Sequence, residues 1–526
     1  MLLDYGAGRS LCSTVGQRSK VKSQRSKVKS KVLGQKYAPL ICSLALAALS
    51  AIDSVQENEA LWWSFIGAAA ALAIWNAALW VAARRTKRTL SFTVALRKQH
   101  YLQACAQGSV LLYWGLYWRP VFDSVHLIAA QILFAYGVDM LLVWSRRDSY
   151  TLGFGPFPVI FSINLFLWFK PDWFYFQFLM VALGFAAKEL ITWERDGRRA
   201  HIFNPSSFPL AVFSLALMLT GTSNLTWGQE IASTQFYPPH MYLMLFLVGL
   251  PGQFFFGVTS MTMSAVVTTY LFGLAYYTAT GIYFFYDSYI PIAVFLGMHL
   301  LFTDPSTSPR TELGRIIFGV LYGLSTVALY QVLGSAGMPT FFDKLLQVPL
   351  LNLSVRWLDR VVRSAWLRAI DPAAIGRALL PHRPHLAYMF VWTVVFIAMS
   401  AVHAVGDDHP GQWLPFWRAA CESGRPYACR YLRDVQAGFC DRGSSWSCHE
   451  FRILDAQAGY SRTMSAPPTL DDYPIILRGS KGPVTERTPA ALTALACRQG
   501  WAEACTATSS DSPASARMAH PSPTSP

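Results

Sequence analysis

The chain has 526 residues, of which 53% are hydrophobic, 14% aromatic and only 14% charged. A soluble globular protein carries about 25% charged residues, and here uncharged apolar runs long enough to cross a bilayer recur from residue 38 to 336 and again at 386–405. A soluble enzyme, a nucleic-acid binder and a secreted disulfide scaffold are therefore excluded as whole-chain readings, and the pattern predicts an all-α protein, a polytopic transmembrane helical bundle of about 11–13 spans.

The net charge of +14 is not a nucleic-acid signal, because its largest share sits in residues 1–36, with nine Lys/Arg and the single acid Asp4. This stretch holds a heptad copied once, Gln17 to Ser23 and then Gln24 to Ser30. With so few apolar residues it is expected to be a basic disordered cytoplasmic tail that also meets anionic lipid. It lacks the cleavage site of a signal peptide.

Spans are predicted near 38–53, 61–83, 101–118, 125–145, 153–168, 173–193, 207–222, 240–258, 261–284, 286–303 and 315–336. A weaker one follows at 341–358, interrupted by Pro349, and a strong one at 386–405. The connecting loops test the orientation. Loops 84–100, 146–152, 194–206, 304–314 and 359–385 gather Lys and Arg, whereas 54–60 and 223–239 contain none. Positive loops stay in the cytoplasm, so the N-terminus is expected inside a bacterial inner membrane and the segment after residue 405 outside it.

Ionisable groups within or beside a span are candidate sites, since each is costly in hydrocarbon. Asp139 stands seven residues before Arg146, about 10 Å below the cytoplasmic interface at 1.5 Å per residue. Lys188 and Glu189 end the sixth span. His201-Ile202-Phe203-Asn204-Pro205-Ser206 opens the seventh, and Thr303-Asp304-Pro305-Ser306-Thr307-Ser308-Pro309 closes the tenth. Asn or Asp before Pro is a good helix start, whose free N–H groups can face a bound ligand. The plainer reading is helix capping, with Lys188 reaching to the interface. All four features nevertheless fall on one predicted membrane side.

Beyond the last span lie six of the nine cysteines, as Cys421 with Cys429, Cys440 with Cys448 and Cys497 with Cys505, each pair C-x7-C. That spacing suits neither the usual zinc sites nor haem attachment, so no metal is expected. The loop charges place the segment where disulfides persist. Residues after 507 read as a disordered tail.

Two resemblances follow from these motifs. The paired cysteines over 411–507 resemble cysteine-rich Sel1-like repeats, which implies disulfides within each pair and a small disulfide-stapled helical periplasmic cap able to meet a protein partner. The spacing departs from a full repeat, and a Pro/Asp-rich insertion interrupts it near 466–483. Lys188, then His201 to Phe208, then Phe302 to Pro309 and Gly314-Arg315-Ile316-Ile317-Phe318-Gly319 resemble the family of the Rnf complex D subunit and the B subunit of sodium-translocating NADH:quinone reductase. The likeness covers roughly 125–360, including the Asp148 to Gly153 loop. Residues 37–124 would be extra N-terminal helices, 361–385 a cytoplasmic basic loop and 386–405 the last helix.

That resemblance implies an electron-transfer subunit, coupled to cation movement and working beside redox partner subunits, that holds a flavin (riboflavin or FMN) near the cytoplasmic face. Asn204, Pro205, Asp304, Pro305 and Thr307 would line the pocket, supported by Lys188 and Asp139. The family's S-G-A-T-like acceptor for covalent FMN is missing, with Thr234 its nearest counterpart, so non-covalent binding is expected. A small-solute or ion transporter and a membrane scaffold presenting the cap are the alternative readings.

Overall fold

A computed structural model describes residues 37–405, apart from 196, 236, 237, 239, 281–283, 286, 287, 374–383 and 403. It also describes 421, 429, 432, 433, 436, 437 and 451–456. The basic tail and most of the cysteine-paired segment lie outside the described residues. Of the three expected bridges, Cys421 and Cys429 are joined by a disulfide. The other two expected pairs, Cys440 with Cys448 and Cys497 with Cys505, lie outside the described residues, so the structure bears on the first bridge alone.

The described residues are mostly helical, and among them three helices are long and apolar enough to cross a membrane: Glu59–Arg85, Val125–Arg146 and Glu312–Ser335. Local chemistry sets their ends. The Asn58 side chain accepts from Leu61 N at 2.9 Å and that of Thr311 from Gly314 N at 3.2 Å, each satisfying a free amide of the first turn. The Glu59–Arg85 helix leaves Trp63, Ile74 and Val81 exposed. The Thr259–Thr280 and Glu312–Ser335 helices approach closely through glycines. A Cβ on Gly319 would collide with the Met261 carbonyl, and one on Gly323 would stand 2.9 Å from the Ala265 carbonyl. Small residues at such crossings let two backbones pack where lipid gives no hydrophobic drive.

Each remaining apolar run also carries a helix, but several are shorter than the sequence predicts. The run 38–53 gives Ala38–Leu49, 286–303 gives Ile292–Leu296 followed by a π-helical turn Gly297–Leu301, and 240–258 gives Met241–Phe256. The clearest correction is 153–168, expected as one span. Only Pro156–Asn164 is helical there. Prolines at 156 and 158 suit a first turn, and Asn164 ends the helix by turning its amide onto the Ile160 carbonyl at 2.7 Å and the Gln131 side chain at 3.0 Å.

The chain then runs on without helix, its backbone groups met one by one. Gln235 donates to the Leu165 carbonyl at 2.7 Å, Gln177 accepts from Phe169 N at 3.1 Å, and Trp227 N donates to the Trp168 carbonyl at 2.8 Å. This is what buried irregular backbone requires. The interrupted stretch 341–358 is likewise no continuous span: a 3-10 turn Thr340–Lys344 precedes the helix Gln347–Val362. That helix buries Asn352, Val355 and Leu358 and leaves Leu350, Leu353 and Trp357 exposed.

The helical expectation is met in the main, and among the described residues four short strands are also present. β1 (Ser91–Val94) pairs in parallel with β2 (Ser149–Leu152), and β3 (Thr192–Arg195) pairs antiparallel with β4 (Arg198–His201). Each is four residues long, too short for alternation to register in sequence. β2 and β3 follow closely on the ends of the Val125–Arg146 and Tyr175–Leu190 helices.

Candidate functional site

Four sequence features expected to share a site do meet. The C-terminal ends of the Val125–Arg146 and Tyr175–Leu190 helices bring Asp139, Lys188 and Glu189 to a cavity of about 330 Å3. The starts of the Lys98–Gly115, Pro156–Asn164 and Ser207–Thr220 helices close its other sides with His100, Gly155 and Ser206. Asn204, Pro205 and Asp304 also line it, with Ser149 to Thr151 from β2. Pro305 and Thr307 are not in the lining; Thr307 is buried behind it.

Asp139, almost fully buried, is held from two sides. Lys188 Nζ lies 3.0 and 3.2 Å from its two oxygens, and the Tyr150 hydroxyl donates to it at 2.9 Å. Burial first, and then the Asp139 charge, push the Tyr150 phenol well above its ordinary range, so it stays protonated and a donor. Glu189 takes Arg147 at 2.5 Å and Arg146 at 3.9 Å. Parallel pairing of β1 and β2 sets Tyr150 in this position, and it needs a glycine beyond the strand. A Cβ on Gly153 would come within 2.5 Å of the Ala95 carbonyl.

The two X-Pro-Ser motifs adopt matching turns. Asn204 Oδ1 accepts from Ser206 N at 2.9 Å, and Asp304 Oδ1 accepts from Ser306 N at 2.9 Å. Asn204 Oδ1 also takes the Ser206 hydroxyl at 2.7 Å and Ser207 N at 3.2 Å, while its Nδ2 donates to the Leu301 carbonyl at 2.9 Å. His201 Nε2 sits 3.1 Å from Asp304 Oδ2. Burial alone would raise the Asp304 pKa, but the hydrogen bond and charge of His201, with the Ser306 amide, hold the carboxyl below its usual range.

The residues that fasten these loops together are ones that sequence reasoning did not single out. Asn352 bridges the two motifs: its Oδ1 accepts from Asn204 N at 3.1 Å and its Nδ2 donates to the Thr307 carbonyl at 3.3 Å. Arg195, at the end of β3, forks onto the Ser306 carbonyl at 3.2 Å, the Ser308 carbonyl at 2.9 Å and Asp359 at 2.7 Å. Asp359 also accepts from Arg310 N at 2.8 Å. In sequence Arg195 is one more positive loop charge, and only its burial shows it to be a clamp. His100 joins the site from the start of its helix. Burial, then Lys188 and Arg97, push its pKa down to about 4.

Thr234 stands elsewhere. It ends the Gly228–Thr234 helix, is buried, and its hydroxyl oxygen accepts from Trp114 Nε1 at 3.1 Å, next to Trp118 stacked on Trp114. It takes no part in the cavity lining. Among the described residues no cluster of His, Cys, Asp and Glu could hold a metal ion. The chain matches no family model, no curated protein and no solved structure.

The site therefore offers cations (Arg97, Arg147, Lys188), acids (Asp139, Glu189, Asp304), two imidazoles, amides and helix starts in one polar chamber. Such a lining suits a polar ligand with several hydrogen-bonding groups, held by direction as much as by charge. Among the described residues, Tyr150 and the two imidazoles are the only aromatic rings in the lining.

Proposed function

We propose that this chain is a multi-pass inner-membrane protein, N-terminus cytoplasmic and C-terminal segment outside, whose pocket opens toward the cytoplasm and holds a flavin without a covalent link. In this reading it is an electron-transfer subunit working beside redox partners, coupled to cation movement. One observation carries it. Two motifs about a hundred residues apart, each resembling an element of the Rnf D/NADH:quinone reductase B pattern, contribute residues to a single cavity of about 330 Å3. Cofactor pockets start at about 300 Å3.

The lining fits the polar part of riboflavin or FMN. Lys188, Arg97 and Gln103 can donate to carbonyl, ribityl or phosphate oxygens, and His201 and His100 can take either role. A bound flavin would supply one- and two-electron chemistry, and the protein would supply position and tuning. Lys188 and Tyr150 hold the Asp139 carboxylate in place, while Arg195 and Asn352 keep the Asp304 and Asn204 loops at a fixed separation.

The absorption spectrum of detergent-purified protein tests this reading. A flavin band in the near-ultraviolet and blue, lost in Asp304→Ala and kept in Thr234→Ala, is the expected result. Protein that stays colourless when produced with excess flavin overturns it. Flavin fluorescence surviving a denaturing gel and abolished in Thr234→Ala would overturn the non-covalent part.

A transporter is the second reading. The Pro156–Asn164 half-helix begins at the pocket, and broken helices form substrate sites in many transporters. Uptake of a small solute by colourless protein would favour it.

A further inference from the structure

Beside the main pocket lies a second, smaller set of polar groups that the proposed function does not use. His299 is part of the π-helical turn Gly297–Leu301 and is 2% exposed, and Gln253 in the Met241–Phe256 helix is 1% exposed. His299 Nδ1 lies 2.8 Å from the Phe295 carbonyl. A carbonyl only accepts, so Nδ1 carries the proton and Nε2 presents a lone pair. That Nε2 and both amide atoms of Gln253 have no hydrogen-bond partner among the described residues.

The two side chains converge over Gly249. A Cβ there would stand 3.1 Å from His299 Cδ2 and 3.3 Å from Gln253 Nε2. Between them is a cavity of about 10 Å3, walled by Leu102, Gln103, Gly252, Thr303 and their neighbours. That is about the least space that admits one water, which also needs two or more polar partners. Gln103 belongs to both cavities, this one and the 330 Å3 pocket. The groups around the imidazole carry no charge. The Lys98–Gly115 helix offers Leu102, Gln103 and Ala106, the Met241–Phe256 helix offers Val248, Gln253 and Phe256, and the rings of Phe295 and Trp392 lie 4.1 and 5.9 Å away.

We propose that Gln253 and His299 form a buried binding site for one water molecule, and that this water makes His299 a proton acceptor served from the larger pocket past Gln103. Gln253 orients the water, donating to it or accepting from it as its amide turns. A hydrated proton entering from the pocket passes its proton to Nε2. A new N–H bond forms, neutral water is left behind, and the ring becomes an imidazolium whose Nδ1–H still points at the Phe295 carbonyl. The reverse step returns the proton. With no carboxylate in the lining, the neutral ring is the resting form, and the charged form is short-lived. Nothing in this depends on what the larger pocket binds.

Deuterium uptake at the imidazole carbon between the two nitrogens, read histidine by histidine by mass spectrometry on the purified full chain, tests the proposal. That exchange needs both protonation of the ring and access of water. In wild-type protein His299 should exchange measurably. Gln253→Leu, which keeps the size and removes the amide, should slow it about tenfold, the scale of one lost hydrogen-bond partner. Gln103→Leu should slow it as well, and His126 should keep its rate in both. Where Gln253→Leu does not insert, the half-buried Gln103 variant decides. An unlabelled His299 in wild-type protein, or equal rates in wild type and variants, overturns the proposal.

Discussion

Removing the Asn204 side chain should loosen the pocket far more than removing the Ser206 hydroxyl beside it. Asn204 is 4% exposed, and its amide makes four hydrogen bonds: three accepted, from Ser206 N, the Ser206 hydroxyl and Ser207 N, and one donated to the Leu301 carbonyl. Two of the accepted bonds cap the Ser207–Thr220 helix, and such a cap contributes ~1–2 kcal/mol. The Leu301 carbonyl, left buried without a partner, adds ~1–3 kcal/mol. Asn204→Ala should therefore cost about 2–5 kcal/mol. Ser206→Ala removes only one of the three donors to Oδ1 and should cost under about 1 kcal/mol. Melting followed by tryptophan fluorescence in detergent should rank wild type and Ser206→Ala close together and Asn204→Ala well below. If Asn204→Ala melts with Ser206→Ala, the buried hydrogen-bond argument is refuted.

Three further outcomes follow from the same geometry. Arg195→Ala strips Asp359 of its cation and frees two carbonyls. Breaking a buried pair costs ~3–5 kcal/mol, and Arg195→Lys should not rescue it, because a compact ammonium cannot reproduce the two-nitrogen planar fork that spans Ser306, Ser308 and Asp359; thermal melting of both variants checks this. Gly184→Ala should disturb the site from behind, since a Cβ there would collide with the Pro205 carbonyl and sit 3.1 Å from Pro209; limited proteolysis near residue 205 should quicken. His100 gives a pH signature. Its folded pKa, about 4, is below the ordinary 6.5, so the unfolded chain binds the proton more tightly. Stability should fall as pH drops from about 6.5 to about 4, and His100→Gln should flatten that part of a pH–melting curve.

Much of this arrangement is legible in the chain because charged residues are sparse along it, at 14%. Asp139, Lys188, Asn204 and Asp304 stand out against apolar surroundings, and all four line one cavity. What is not legible depends on three-dimensional contact. Arg195 looks like any loop arginine until Asp359, 164 residues away, is found 2.7 Å from it. Asn352 sits among leucines in an interrupted run, and nothing local marks it as the bridge between two turns. The half-helix is hidden for a related reason. Composition measures how apolar 153–168 is, not whether the side chains of Gln177 and Gln235 will be there to take over the backbone hydrogen bonds of Phe169 and Leu165. The strands are hidden by their length.

Nine helical residues reach only about 14 Å, half of a ~30 Å hydrocarbon core. On the proposed membrane reading, the stretch from Pro156 to Lys170 cannot be inserted as a finished element when it leaves the ribosome. Its Leu165 carbonyl waits for Gln235, 70 residues later in the chain, a delay of roughly 4–14 s at ~5–20 residues per second. Until then the segment must be sheltered, by the insertion machinery or between the Val125–Arg146 and Tyr175–Leu190 helices. Loss of the Gln235 amide should therefore act mainly during biogenesis, lowering the number of molecules that mature rather than the performance of those that do.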